Sequence, residues 1–280
     1  MYIKCNLRFL FLIEFFINGR KSLSEEFKKF GLEFRGRLGL HTYPLGIKFC
    51  TEPCELSAFK RPKDFGIHLA VCQVINLARY YSMPMAFTLE DMFCIAGAYL
   101  FGLTPEFPEF LKKEATGWHT SNDEGKKYLD SKFLEHALPQ GSVKAVLVAP
   151  LEHITFTPDV IDIYGTPQQI AAIGKALIWH GIIPEASFLG LSSCSSITYA
   201  YKVKKPQISI PGSGEAVWGR TEEDEISIII PAEFVDKIFS GLEGIKKIYS
   251  YPPPKFMFYE PVAPRGYKIT YKDYNIHRNF

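Results

Sequence analysis

The chain predicts an α/β (α+β) fold, with helices packed on a mixed β-sheet in a single globular body that carries an extended C-terminal tail. Three observations predict it. Short apolar runs of period two alternate with segments that carry helix-capping residues. A 47% hydrophobic and 22% charged composition over 280 residues supplies enough apolar surface for one large core. No solenoid or propeller period repeats along the chain.

The elements follow in order. Ser22 and Glu25 have capping-box spacing, and Phe27, Phe30, Phe34 and Leu38 recur at helical spacing up to Gly39. Tyr43, Leu45, Ile47 and Phe49 alternate, which predicts a strand over 43–50, followed by a polar loop over 51–66. Residues 68–82 read as a helix with Cys72, Ile75, Ala78 and Arg79 on one face. Thr88 and Asp91 have capping-box spacing too, and predict a helix running through Leu100 to a stop at Gly102. Helical pieces are expected over 105–138, joined by a polar link at 120–127.

The second half alternates more regularly. Strands are predicted over 143–149 and 160–164. Thr166, Pro167 and Gln169 then supply a cap, a first-turn proline and a third-position glutamine for a helix ending at Gly181. A helix near 194–204, a strand at 207–210, a glycine turn at 211–214 and a strand at 226–230 follow. Phe234, Val235, Ile238, Leu242 and Ile245 form an amphipathic helix. The domain boundaries expected are an apolar N-terminal extension at 1–21 and one α/β domain at 22–250, with sub-halves 22–140 and 141–250 possible. A Pro/Tyr-rich tail at 251–280 completes the chain; its aromatic content predicts docking on the body or a partner rather than a free linker.

Composition excludes several classes. The formal net charge is +2, with a +4 balance in residues 1–40, +3 in 252–280 and −5 between them. Basic ends on an acidic body suit self-association or a protein partner, but no dense basic stripe or module for nucleic acid is present. Six cysteines without a C-x-x-C pattern are too few for a disulfide scaffold, so a reducing cytoplasm is expected. The apolar stretch near Phe9–Ile17 is interrupted by Glu14, lacks a small-residue cleavage site, and is too short to span a bilayer. An amphipathic helix, or a start site placed upstream, accounts for it.

Several short pieces form an ordered set. They are Tyr43-Pro44-Leu45-Gly46-Ile47-Lys48-Phe49, Cys72, Thr88-Leu89-Glu90-Asp91 before Cys94, and Pro158-Asp159-Val160. Gly165-Thr166-Pro167-Gln168-Gln169, Cys194, Gly219-Arg220 and Asp224-Glu225 follow. Taken together, residues 25–245 resemble the archaeal and bacterial family known as domain of unknown function 169. That resemblance implies membership and brings no established activity, so whether the chain is an enzyme stays open.

Chemistry concentrates on Cys72, Cys94 and Cys194, which fall within the resemblance. Thiolates suit soft metal ions or iron–sulfur clusters, and three of them with one further donor complete a tetrahedral site. The alternatives are buried core thiols or a redox thiol. A site would require the sulfurs to approach within about 4 Å of one another. Cys50 and Cys54 read as a loop thiol pair. Lys48, Arg79 and Arg220 are candidates for an anionic group, with Asp224 and Glu225 available to a hard cation. The function expected is a cysteine-based ligand, metal or redox-cofactor binding protein, or else a non-catalytic interaction subunit.

Overall fold

A computed structural model describes residues 24–109, 111, 119–129, 133–187 and 192–246. The Ser22 cap, the apolar extension and the aromatic tail lie outside these residues, as do the roles expected of the two ends.

Seven strands form one sheet in the order β2-β3-β1-β4-β7-β6-β5. They are β1 (Leu45–Cys50), β2 (Met85–Phe87), β3 (Ala145–Pro150), β4 (Val160–Gly165), β5 (Glu185–Ser187), β6 (Gln207–Ser209) and β7 (Ile226–Pro231). All neighbours are antiparallel except the β5–β6 pair. The sheet is therefore mixed, as the sequence predicts.

Helices cover both faces, and strand alternation decides which residues meet which layer. Val160 and Tyr164 of β4 and Ile229 of β7 point into one core, with Val71, Ala98 and Ile197. That core belongs to α2 (Val71–Tyr81), α3 (Ile95–Leu100) and α6 (Ser192–Val203). Ile161, Ile163, Ile228 and Ile230 point the other way, toward α1 (24–38), α5 (Pro167–Trp179) and α8 (Val235–Ile245). Burial on both faces explains why β3, β4 and β7 read as largely apolar runs. The α5 N-terminus forms as its sequence predicts: Thr166 Oγ1 accepts from the Gln169 amide, and Gln169 Oε1 accepts from the Thr166 amide at 2.7 Å.

Four departures have physical causes. Thr88 and Asp91 do form a capping arrangement, but it closes a single 3-10 turn at Leu89–Asp91. Asp91 is held there by the Arg61 guanidinium at 2.6 Å, and α3 starts afresh with Cys94 as its N-cap. The polar stretch near 120–127 is not a link but helix α4 (Asn122–Tyr128), whose Glu124 amide donates to Ser121 Oγ. The Gly212 turn opens a short helix, α7 (Ser213–Val217), because Glu215 reaches back to the Gly212 amide. Finally, β2 and β5 are three residues each, below the length at which alternation is visible.

Candidate functional site

On the α2/α3/α6 side of the sheet, helix ends converge and bring the three predicted cysteines into one neighbourhood. Cys72 is the second residue of α2, Cys94 the N-cap of α3, and Cys194 lies in the first turn of α6. The point where a Cβ on Gly97 would stand is 3.5 Å from Cys194 Sγ and 3.7 Å from Cys94 Sγ. The missing side chain of Gly97 is what leaves space between those two sulfurs. Gly219 plays a similar part for Cys72: a Cβ there would lie 3.2 Å from Cys72 Cβ and 2.8 Å from the Glu215 carbonyl. Glycine at 219 thus lets the α7 end approach α2. Cys72 Sγ in turn reaches the Gly214 carbonyl at 3.6 Å.

Cys72 and Cys194 are neutral in this setting. Burial pushes Cys72 up to about 12, with the nearby Glu215 carboxylate and Cys94 adding to it. Burial raises Cys194 well above the ordinary thiol range, and Cys94, Cys72 and Glu215 raise it further. Among the described residues no group of three His, Cys, Asp or Glu side chains stands ready to hold a metal ion. The cysteines therefore share a neighbourhood without forming a finished ligand set.

Behind the thiols lies a polar layer in the core. Glu215 on α7 accepts from the amides of Ser193 and Gly212, each at 3.0 Å, and from the Tyr164 hydroxyl at 3.0 Å. It accepts from the Ser193 hydroxyl as well, so both carboxylate oxygens are occupied. Arg79 is 1% exposed and forms a two-pronged ion pair with Glu225, 2.8 Å at each prong. Its guanidinium also lies 4.0 Å from the Tyr164 ring centroid and 4.4 Å from that of Tyr80. Burial pushes the Glu225 carboxyl up, but the Arg79 hydrogen bonds and charge more than reverse this and hold it below the usual carboxylate range.

Asp162, on β4, is fully buried, and neither carboxyl oxygen has a hydrogen-bond partner among the described residues. Burial and the charge of Glu215 push it well above its ordinary range, against the pull of Arg79, so it sits in the core as a neutral acid. Among the described residues, the buried hydroxyls of Ser196, Ser209 and Ser227 have no hydrogen-bond partner either. Ser209 and Tyr164 are both register partners of Ser227, which places these groups side by side beneath α6.

The other predicted residues divide. Arg79 and Glu225 belong to this site and satisfy each other. Arg220 follows Gly219, is exposed, and adopts a left-handed backbone with φ 52°; Asp224 is exposed in the turn before Glu225. Lys48 is not brought to them. It is half-buried on the sheet face opposite Ile47 and Phe49, where its charge acts on Asp159 and Cys50. Sequence reasoning misses Glu215, Asp162 and Tyr164. Asp162 left a signal, as the charged member of the otherwise apolar run Val160–Tyr164; Glu215 left none beyond its place after a glycine turn.

The architecture defines a class: a seven-stranded mixed-sheet α/β protein with thiols and buried carboxyls gathered on one side of the sheet. Residues 33–241 match the model of domain of unknown function 169, described as uncharacterised ArCR, and the chain belongs to that family. It is 24% identical over 188 residues to uncharacterised protein MJ0308 of Methanocaldococcus jannaschii, covering 64% of this chain and 78% of that protein. No solved structure matches the chain. Among the described residues, no helix is long and apolar enough to cross a membrane.

Proposed function

We propose that this protein binds a thiophilic metal ion through Cys72, Cys94 and Cys194. One observation supports the reading: three thiols from three separate helices lie within electrostatic reach of one another around a glycine that leaves room between two of them. Scattered core thiols are ordinary, whereas thiols gathered from three helix ends make a soft donor set, and a bound cation supplies the charge that displaces the protons held by burial. Each sulfur gives up a proton on binding, so affinity rises with pH. The sulfurs must also draw inward from their present positions. Glu215, with both oxygens occupied, is a poor fourth donor. Three thiolates alone suit Cu(I); Zn(II) would take an outside ligand in the fourth position. Arg220 and Asp224 are exposed and free to meet an outside ligand, while the Arg79–Glu225 pair reaches the thiols only through Tyr164 and Glu215. An iron–sulfur cluster belongs to the same thiolate chemistry and would colour the protein.

The test is metal analysis and an ultraviolet–visible spectrum of anaerobically purified protein, followed by titration with Zn(II) and Cu(I). A Cys50→Ser/Cys54→Ser background removes the other described thiols. The reading expects one ion per chain, proton release on binding, and loss of both in Cys94→Ser and Cys194→Ser. A protein that takes up no ion, or equal uptake in those variants, overturns it.

A further inference from the structure

A second pair of thiols lies outside this site, at the far end of β1. Cys50 is the last residue of the strand, buried, with its carbonyl fixed by the Lys144 amide at 2.7 Å. Cys54 comes four residues later in the loop, is half-buried, and packs into the same small cluster as Cys50, Phe59 and Leu147. The chain turns back through Glu52-Pro53, so one thiol faces the other across a tight loop. We propose that Cys50 and Cys54 form a reversible oxidation site, closing to an intramolecular disulfide when the protein meets hydrogen peroxide.

The two thiols differ in the way such a site needs. Cys54 is accessible and takes the first step: its thiolate attacks one peroxide oxygen, the O–O bond breaks, and a sulfenic acid and hydroxide result. Cys50 is the resolving group. Its sulfur attacks the Cys54 sulfur, the S–O bond breaks, and the thiol proton leaves with the departing hydroxide as water. In sum, two thiols and one peroxide give one disulfide and two waters. Burial, and then the contact with Cys54, push the Cys50 thiol up to about 12, which keeps it protonated and leaves the more accessible Cys54 as the thiol that meets peroxide first. The pair encloses a very short loop, so bridging constrains the unfolded chain little, and the bond suits a cycle of oxidation and reduction rather than a structural staple. This inference does not depend on the metal reading, because neither thiol belongs to that cluster.

The experiment treats the full chain with one equivalent of hydrogen peroxide, alkylates the remaining thiols, and maps the peptides by mass spectrometry. The expected product is a peptide carrying both Cys50 and Cys54, lighter by two hydrogens, unalkylated, and restored by dithiothreitol. Cys50→Ser is expected to leave Cys54 as a sulfenic acid that dimedone captures, and Cys54→Ser to leave Cys50 reduced and alkylatable. Two results overturn the proposal: Cys54 advancing to sulfinic acid while Cys50 stays reduced, or bridging through other cysteines with this pair untouched. Loss of metal uptake leaves these outcomes unchanged, so the two readings fail separately.

Discussion

Breaking the Arg79–Glu225 pair tests whether the polar layer of the core rests on a structural ion pair. Arg79 is 1% exposed and the Glu225 side chain 10%. Removing one member of a well-buried pair costs about 3–5 kcal/mol, because the other is left charged without a partner. Arg79→Met leaves Glu225 near the rim, where it can rehydrate, so about 3 kcal/mol is expected. Glu225→Leu strands the more deeply buried guanidinium, with Thr42 and Tyr80 each at 3.4 Å as its remaining oxygen contacts, and about 4 kcal/mol is expected. For a domain of this size 3 kcal/mol corresponds to roughly 6–12 °C in Tm. The double variant Arg79→Met/Glu225→Leu removes both charges and is expected to cost less than either single change. Chemical denaturation of all four proteins closes the cycle. Because Arg79 holds the Glu225 carboxyl below its ordinary value of 4.5, the stability it contributes is present above that pH and lost as pH falls through the lower folded value. The gap between wild type and Arg79→Met should therefore hold steady above about pH 5 and close in more acid solution. Additive single costs, within about 0.5 kcal/mol, would refute the pair as the source of the stability.

Two further substitutions separate fold from site. Asp162→Asn should be near neutral at pH 4 and increasingly stabilising as pH rises above that value. The native acid keeps its proton while the unfolded chain releases it, so wild-type stability falls as pH rises above the ordinary value of 3.8; parallel pH–stability curves for the two proteins would count against this. Gly97→Ala adds a methyl group 3.1 Å from Val71 Cγ2 and between the Cys94 and Cys194 sulfurs. Helix propensity gains up to about 1 kcal/mol and crowding offsets it, so the midpoint should move by about 1 kcal/mol or less. Metal uptake should fall at least tenfold. Unchanged uptake in a folded variant would show that the space at Gly97 is not part of the site.

The fold was legible wherever one residue period ran long enough, and the site only in part. Largely apolar runs marked β3, β4 and β7, and the Thr166-Pro167-Gln169 cap marked α5, because the forces that form them act within a few residues. The same local rules misplaced the start of α3. Thr88 and Asp91 have the spacing of a helix cap, but Arg61, distant in sequence, claims Asp91 and stops the turn after three residues. The thiols follow the same logic. Cys72, Cys94 and Cys194 could be named as a set, but their meeting depends on glycines at 97 and 219, whose role is visible only when α2, α3, α6 and α7 are seen together. Glu215 shows the limit most sharply. It lies in a segment that reads as a glycine turn, yet its carboxylate binds the Gly212 amide, which helps start α7, and the Ser193 amide, which ties α7 to α6. One side chain thus forms the local element and places it beside the thiols. A residue whose partners come from its own turn and from a distant helix leaves no periodic trace. What the sequence does carry is the cost of the neighbouring Asp162, an acid in an apolar strand, and a cost of that kind is a reason to expect a polar site on that strand before its other members are known.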